Sequence, residues 1–214
     1  LDQKMVPLLE TNRGCPFKCT FCAWGMASHD IVSKLDINDS LKEVEYIAKK
    51  SNVRNWIVCD ANFGLLKRDV EIAKAIKKVN QEYGHPKKIS IWLAKNVTER
   101  NLEIAEILGN LIVPVMAIQS MNPNVLKNIK RDNVSSETYF EYQKRFHDLG
   151  AKTYSDVIIP LPRETFKTHL EGLRELFEMG VDIIQNHNMR MLPGAEMNSV
   201  ESRKKYGMKT RYRL

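Results

Sequence analysis

Three of the chain's four cysteines, Cys15, Cys19 and Cys22, fall within eight residues in the run GCPFKCTFC. Thiolates this close together can serve one soft metal centre, and zinc and iron–sulfur clusters are the usual claimants. A structural zinc asks for four ligands, commonly as two well-separated pairs. His29 or Cys59 is available as a fourth, but the C-x3-C-x2-C spacing packs the three sulfurs too tightly for two pairs. Ferredoxin spacings end in a fourth cysteine, and none is nearby. The residues alone favour an iron–sulfur centre over zinc. Cysteines gathered in one loop also differ from a disulfide framework and suit a reducing, cytosolic setting.

Other polar residues punctuate apolar runs. Asp60 closes NWIVCD with Asn62 two residues on, Lys95 closes ISIWLAK with Asn96 next, and Gln119 and Ser120 close VPVMAIQS. Asp156 lies inside the apolar run of KTYSDVIIP, where a carboxylate needs a partner. His187 stands beside Gln185 and Asn186 in IIQNHNMR, which suggests a polar interior wall. Arg131 ends an expected helix. Plain structural roles compete with each: helix capping for Asp60 and Asn62, a turn for Lys95 and Asn96, a solvated helix end for Arg131. Cys59, adjacent to Asp60 on an alternating strand, points the other way and reads as a core thiol. His29, His85, His147 and His169 fall in loops or helices with no evident role.

The elements that must position these residues alternate regularly. Strands are expected over residues 5–11, 55–60, 89–95, 113–120, 152–160 and 182–189. Helices are expected between them, over residues 38–51, 68–84, 98–110, 122–131, 135–150 and 164–180. Asp39 or Ser40 caps the first, with Glu43 at capping-box spacing, and Thr98 caps the third. Val70, Ile72, Ala73, Ile76 and Val79 form one apolar face of the second, which ends at Gly84. Strands that alternate with helices build a parallel sheet from right-handed βαβ units, open or closed, whose ligands collect beyond the C-terminal strand ends. The cysteines and the polar pairs all sit there.

The chain has 214 residues, 43% of them hydrophobic and 28% charged, which suits one globular domain. No run approaches the roughly 18 apolar residues of a membrane span, and LDQKMVPLLE does not read as a signal peptide. Its entry straight into a strand, without an initiator methionine, suggests excision from a longer protein. The net charge is +7, and six of the basic residues lie in the tail SRKKYGMKTRYRL. Elsewhere Lys and Arg interleave with acids on helix faces, so nucleic acid is disfavoured as a partner.

The C-x3-C-x2-C run, with Phe21 before the last cysteine, resembles the signature of the radical S-adenosylmethionine enzymes. CDANFG, AIQSMNPNVLKNIKR, SDVIIPLPRET and RMLPGAEM resemble family motifs at successive strand ends. The resemblance implies an α/β fold, a partial (β/α)6 TIM-like barrel of parallel strands with outer helices. It implies a 4Fe–4S cluster on Cys15, Cys19 and Cys22, with one iron left open for S-adenosylmethionine. The reduced cluster would cleave that cofactor to a 5′-deoxyadenosyl radical, which abstracts hydrogen from a substrate. By the same resemblance Phe21 meets adenine and Asp60 and Asn62 meet the methionine amino group. Gln119 and Asp156 take the ribose hydroxyls beside Ser120, and Arg131 takes the methionine carboxylate. No catalytic residue is assigned; His187 and Lys95 are the substrate-side candidates. The chain departs from the pattern at Pro160 and Arg163, where the family often has glycine, and at DANF in place of Gly-Gly-Glu.

NRGCPFKCTFC, DANFG, the KN after the third strand, QSMN and KYGMKTRYRL look most like the radical half of enzymes that also bind cobalamin. That finer resemblance implies residues 1–195 as the radical core and 196–214 as a basic extension continuing further. It also implies a cobalamin domain preceding the core, a methyltransferase activity, and a flavodoxin- or ferredoxin-like electron donor. The substrate is not readable. A non-catalytic iron–sulfur electron-transfer module and a structural zinc protein are the alternatives.

Overall fold

The computed structural model of the protein describes residues 5–24, 31–96 and 99–212. Its strands are short. β4 (Asn55–Val58) carries Trp56 and Val58, each 1% exposed, into the core. It pairs in parallel with β1 (Leu8–Leu9) on one side and β5 (Lys88–Ser90) on the other. β6 (Tyr154–Ile159) pairs in parallel with β7 (Ile183–Asn188), Asp156 opposite Gln185 and Ile158 opposite His187. Between these two sheets, the segment expected as a strand over 113–120 makes only isolated bridges, Val115 to Tyr154 and Gln119 to Val157. Pro114 has no N–H for a ladder, and Gln119 takes a left-handed φ of 70°, so regular pairing fails at both ends. Among the described residues the strands form an open, partial barrel.

A small antiparallel pair has no counterpart among the expected elements. β2 (Asn12–Arg13) and β3 (Ser33–Lys34) pair antiparallel, bracketing the cysteine loop as a small hairpin. Within each, the two residues carry no alternation long enough to mark a strand.

The helices α1 (Ile37–Lys50), α2 (Asp69–Tyr83), α3 (Glu99–Leu108), α5 (Ser136–Asp148) and α6 (Phe166–Glu178) form the outer layer, with the short α4 (Pro123–Asn128) after the fourth strand segment. The cap of α1 is Asp36, whose carboxylate accepts from the backbone N–H of Asn38 and Asp39. Ser40 instead turns its hydroxyl back to the Asp36 carbonyl, so the expected capping box is absent. α2 buries the predicted stripe and ends at Gly84 with a φ of 73°. Thr98, the expected cap, and His29, the available fourth zinc ligand, lie outside the described residues.

Two apolar clusters result. The larger joins Leu9, Trp56, Val58 and Phe63 to the helices. The smaller, Val125, Ile129, Leu161 and Met197, lies beneath the cysteine loop, with Phe21, Tyr206 and Met208 against it. Residues beyond 195, including α7 (Val200–Tyr206), are therefore packed on the core through Met197 and Tyr206.

Gly64 marks where the loop after β4 must turn closely. Its φ is 95°, and a Cβ there would lie 2.5 Å from Asn101 Oδ1 and 3.2 Å from Ile104 Cδ1. Gly84 shares the left-handed backbone, but a Cβ there meets nothing within 4 Å. Gly64→Ala should cost about 2–4 kcal/mol, and Gly84→Ala about 1 kcal/mol, from backbone strain alone. Thermal melts of the two variants check the difference; equal losses would show that the Asn101 contact is without effect.

Candidate functional site

The cysteine loop leaves β1 over a buried carboxylate. Asp60 Oδ1 accepts from the backbone N–H groups of Thr11 at 2.7 Å and Asn12 at 3.1 Å. Its Oδ2 accepts from Thr11 Oγ1 and, at 2.7 Å, from Asn12 Nδ2. All three residues are at most 2% exposed. Burial pushes the Asp60 carboxyl above its ordinary range, against the pull of these donors. The sequence reading turned Asp60 toward a ligand; its oxygens are taken up by the loop instead, because two consecutive backbone donors and two side chains converge there. Further along, Thr20 donates its N–H to Ile129 O at 3.0 Å and accepts from Met197 N at 2.8 Å. The loop is thus pinned at both ends.

Along this loop, each sulfur meets an N–H group. Asn62 Nδ2 donates to Cys15 Sγ at 3.1 Å, Lys95 Nζ to Cys19 Sγ at 3.6 Å, and the Trp24 backbone N–H to Cys22 Sγ at 3.4 Å. Asn62 Oδ1 accepts from the Lys95 backbone N–H at 3.2 Å, tying the second strand end to the third. Lys95 Nζ also lies 4.3 Å from the centre of the Phe17 ring. Arg131 is 8% exposed and points its charge at the same cysteines. It is held by Asn133 Oδ1 at 2.8 Å and by the Ala117 carbonyl. Burial pushes both cations below their usual ranges, and the neighbouring Cys19 sulfur, bonded to each, opposes it. Asn62, Lys95, Arg131 and Asn133 line a cavity of ≈ 130 Å³ between the third and fourth strand ends. Cys59 is half-buried outside this group, its thiol raised by burial and by Glu10 and Asp60.

The remaining candidates form a second group on β6, β7 and the fourth strand segment. His187 Nε2 lies 2.6 Å from Asp156 Oδ1, the histidine side chain 50% exposed and the carboxylate 17%. Burial and a bond to Asp156 push the Tyr154 hydroxyl up to about 12. Gln119 and Asp156 are joined through the backbone, Gln119 N to Asp156 O at 2.8 Å. Gln119 Oε1 is buried and has no hydrogen-bond partner among the described residues. Phe21 packs on the smaller apolar cluster.

Ser120 turns away from both groups. Its hydroxyl donates to Glu164 Oε1 at 2.6 Å; Glu164 Oε2 lies 3.3 Å from His169 Nδ1, and His169 Nε2 lies 3.1 Å from Asn186 Nδ2. The carboxylate and imidazole of this chain are 2% and 7% exposed. It links the end of the fourth strand segment and β7 to α6. The sequence reading gave His169 no role and missed Glu164; the five-residue spacing from Glu164 into α6 was the only available signal. Thr11 and Asn12 were missed as well.

The residues fit the cofactors the sequence suggested. Three thiols faced by N–H donors and two cations suit an anionic thiolate-held cluster. The unpartnered Gln119 oxygen suits a ligand carrying hydroxyl or amino donors. Among the described residues no group of three His, Cys, Asp or Glu side chains could hold one metal ion. A four-iron cluster asks for something else, since each cysteine binds an iron of its own.

Comparison with known proteins bears on the same residues. A family model described as the radical SAM superfamily matches residues 9–176. The chain is 33% identical over 207 residues to the cobalamin-dependent radical SAM methyltransferase TokK of Streptomyces tokunonensis, covering 95% of this chain and 30% of that protein. It is 35% identical over 213 residues to 2-(S-pantetheinyl)-carbapenam-3-carboxylate methyltransferase of Streptantibioticus cattleyicolor, covering 98% of this chain and 31% of that one. The chain thus spans under a third of the length of these relatives. In fold it is similar to the radical S-adenosylmethionine methyltransferase TsrM of Kitasatospora setae, solved with cobalamin and a [4Fe-4S] cluster bound. That match has a TM-score of 0.77 at 14% identity, over 94% of this chain and 37% of that one. Coproporphyrinogen III oxidase of Escherichia coli matches with a TM-score of 0.68 at 20% identity, over 95% and 48%.

Asp60→Ala should leave four buried donors unmet and cost about 3–5 kcal/mol, whereas Asp60→Asn, which keeps one acceptor oxygen, should lose roughly half as much. Urea midpoints of both variants measure this; an Ala variant as stable as the parent would remove Asp60 from its place as the loop's anchor.

Proposed function

The chain belongs to the radical S-adenosylmethionine superfamily, and from that premise we propose that it is the radical-generating core of a cobalamin-dependent methyltransferase. The observation that carries the reading is the set of three cysteine sulfurs, each met by an N–H donor, with the half-buried Lys95 and the buried Arg131 beside Cys19. When bound, a reduced 4Fe–4S cluster on those cysteines supplies the electron that cleaves S-adenosylmethionine to a hydrogen-abstracting 5′-deoxyadenosyl radical.

The chain's own residues have defined work around that chemistry. Cys15, Cys19 and Cys22 would hold the cluster, one thiolate to each of three irons. Arg131, buried and fixed by Asn133 and Ala117, presents a guanidinium suited to a carboxylate such as that of methionine. Asn62 faces the same space with one amide hydrogen to spare beyond its bond to Cys15. Gln119, whose side-chain oxygen is buried without a partner, accepts from the ribose or its base. Ser120 supports it from behind through Glu164. Phe21 presents the edge of the smaller apolar cluster to adenine. Asp156 and His187 form the wall on the substrate side, the carboxylate orienting the imidazole at 2.6 Å. With Asp156 so engaged, contact with ribose falls chiefly to Gln119.

Methyl transfer, cobalamin and the domain plan rest on similarity to the two curated relatives. We assign residues 1–195 to the radical core and 196–214 to an extension packed on it through Met197, with a cobalamin-binding domain preceding the core in the whole protein. A radical S-adenosylmethionine enzyme needs a reductant, and a flavodoxin- or ferredoxin-like protein in the cytoplasm is the partner we propose. Among the described residues no helix is long and apolar enough to cross a membrane.

Anaerobic reconstitution with iron and sulfide, then reduction with S-adenosylmethionine present, tests the reading. The protein should turn brown and release methionine and 5′-deoxyadenosine, and Cys19→Ala should abolish both. Gln119→Ala should keep the cluster spectrum and weaken S-adenosylmethionine binding about tenfold, the worth of one hydrogen bond. A colourless protein holding one zinc would overturn the assignment.

A further inference from the structure

We propose that Lys95 is a redox-tuning residue of the cluster, its ammonium donating to Cys19 Sγ and holding the reduction potential above that set by the three thiolates alone. The inference rests on the cluster reading given above and concerns what this chain adds to it.

Lys95 Nζ lies 3.6 Å from Cys19 Sγ, within hydrogen-bond reach of a sulfur. Two contacts hold it there. The Phe17 ring, two residues before Cys19, takes the ammonium at 4.3 Å from its centre. The Lys95 backbone N–H donates to Asn62 Oδ1 at 3.2 Å, and the same Asn62 donates to Cys15 Sγ at 3.1 Å. Lys95 is half-buried, so its charge is less screened than a surface lysine's. Reduction adds one electron, and hence one negative charge, to a thiolate-held cluster. A fixed positive charge and N–H donors at the sulfurs stabilise that reduced form more than the oxidised one. Asn62 and the Trp24 N–H give the other two sulfurs neutral donors. Lys95 therefore brings full charge to one sulfur, and Arg131, fixed by Asn133 and Ala117 through Nε and Nη2, bonds the same Cys19 as a second cation.

The competing role for a lysine in this cavity is to hold the carboxylate of S-adenosylmethionine, and the measurement must separate the two. Midpoint potentials of reconstituted wild type, Lys95→Met, Lys95→Gln and Lys95→Arg are to be read by EPR-monitored redox titration without S-adenosylmethionine. Affinity for S-adenosylmethionine is measured separately. Lys95→Met should make the cluster about tenfold harder to reduce, which is about 60 mV for a one-electron couple. Lys95→Arg should restore most of the shift, and Lys95→Gln, a neutral donor, should fall between. If Lys95→Met takes up no cluster, the Gln and Arg variants decide by the same order. An unchanged midpoint with weakened S-adenosylmethionine binding overturns the proposal and makes Lys95 a carboxylate holder. A wild-type protein that assembles no cluster overturns the cluster reading and this inference with it.

Discussion

Asp60 receives the backbone N–H groups of Thr11 and Asn12 and both of their polar side chains in a region closed to water. Each donor left unmet there would cost about 1–3 kcal/mol, so the chain has little freedom where the cysteine loop departs. Arg68 adds a second hold, donating to the Thr11 carbonyl at 2.8 Å and to that of Leu35. The hairpin of β2 and β3 closes over the same point. Cys15 begins three residues after Asn12, and its neighbour Asn62 stands two residues after Asp60. One buried carboxylate therefore sets the distance between the first sulfur and its hydrogen-bond donor. The rest of the sulfur environment builds outward from that pair, since Asn62 also positions Lys95.

Backbone strain gathers around the same mouth. Asn96, Gln119, Lys130 and Arg163 are non-glycine residues with positive φ, and all four follow or end strands or short helices at this edge. Such conformations cost about 1–3 kcal/mol each and persist only where neighbours over-determine them. For Gln119 the neighbours are visible: its N–H and carbonyl are both engaged with β6, through Asp156 and Ile158. Arg163 takes a φ of 68° at a position where related motifs carry glycine. A left-handed residue there turns the chain as a glycine could. The buried chain from Ser120 through Glu164 and His169 to Asn186 then braces this turn against α6 and β7.

What the residues disclosed in advance was the alternation of strands and helices. The period of α2 and the parallel pairing of strands around intervening helices are local properties, and both came through in the structure. What stayed hidden depends on contacts distant along the chain. The Asp60 clamp spans about fifty residues, and an aspartate after a strand looks the same in sequence whether it binds a ligand or a loop. The fourth strand segment read as continuous because VPVMAIQS is apolar, yet Pro114 and the left-handed Gln119 limit it to two bridges. The Glu164–His169 pair was likewise invisible, since neither partner's burial can be read from composition. Cap choice at α1 failed for a smaller reason: Asp36, Asp39 and Ser40 all suit the role, and only the backbone selects among them.

Charge shows the same division between local and global. The chain's excess of +7 invites a search for an anionic partner, but many surface cations are spent on neighbours, as in Lys49 with Glu45 or Arg13 with Glu10. Exposed pairs of that kind contribute about 0–1 kcal/mol and set no direction. Lys95 and Arg131 differ because burial costs them solvation, and sulfur rather than carboxylate faces them. A cation kept in such a place is stabilised only when something anionic occupies the space in front of it. Two of them beside three thiols make the site a receptor for negative charge before any ligand arrives. The electrostatics of the mouth thus agree with the cysteine spacing from an independent direction: the net charge says little about function, and the placement of two cations says a great deal.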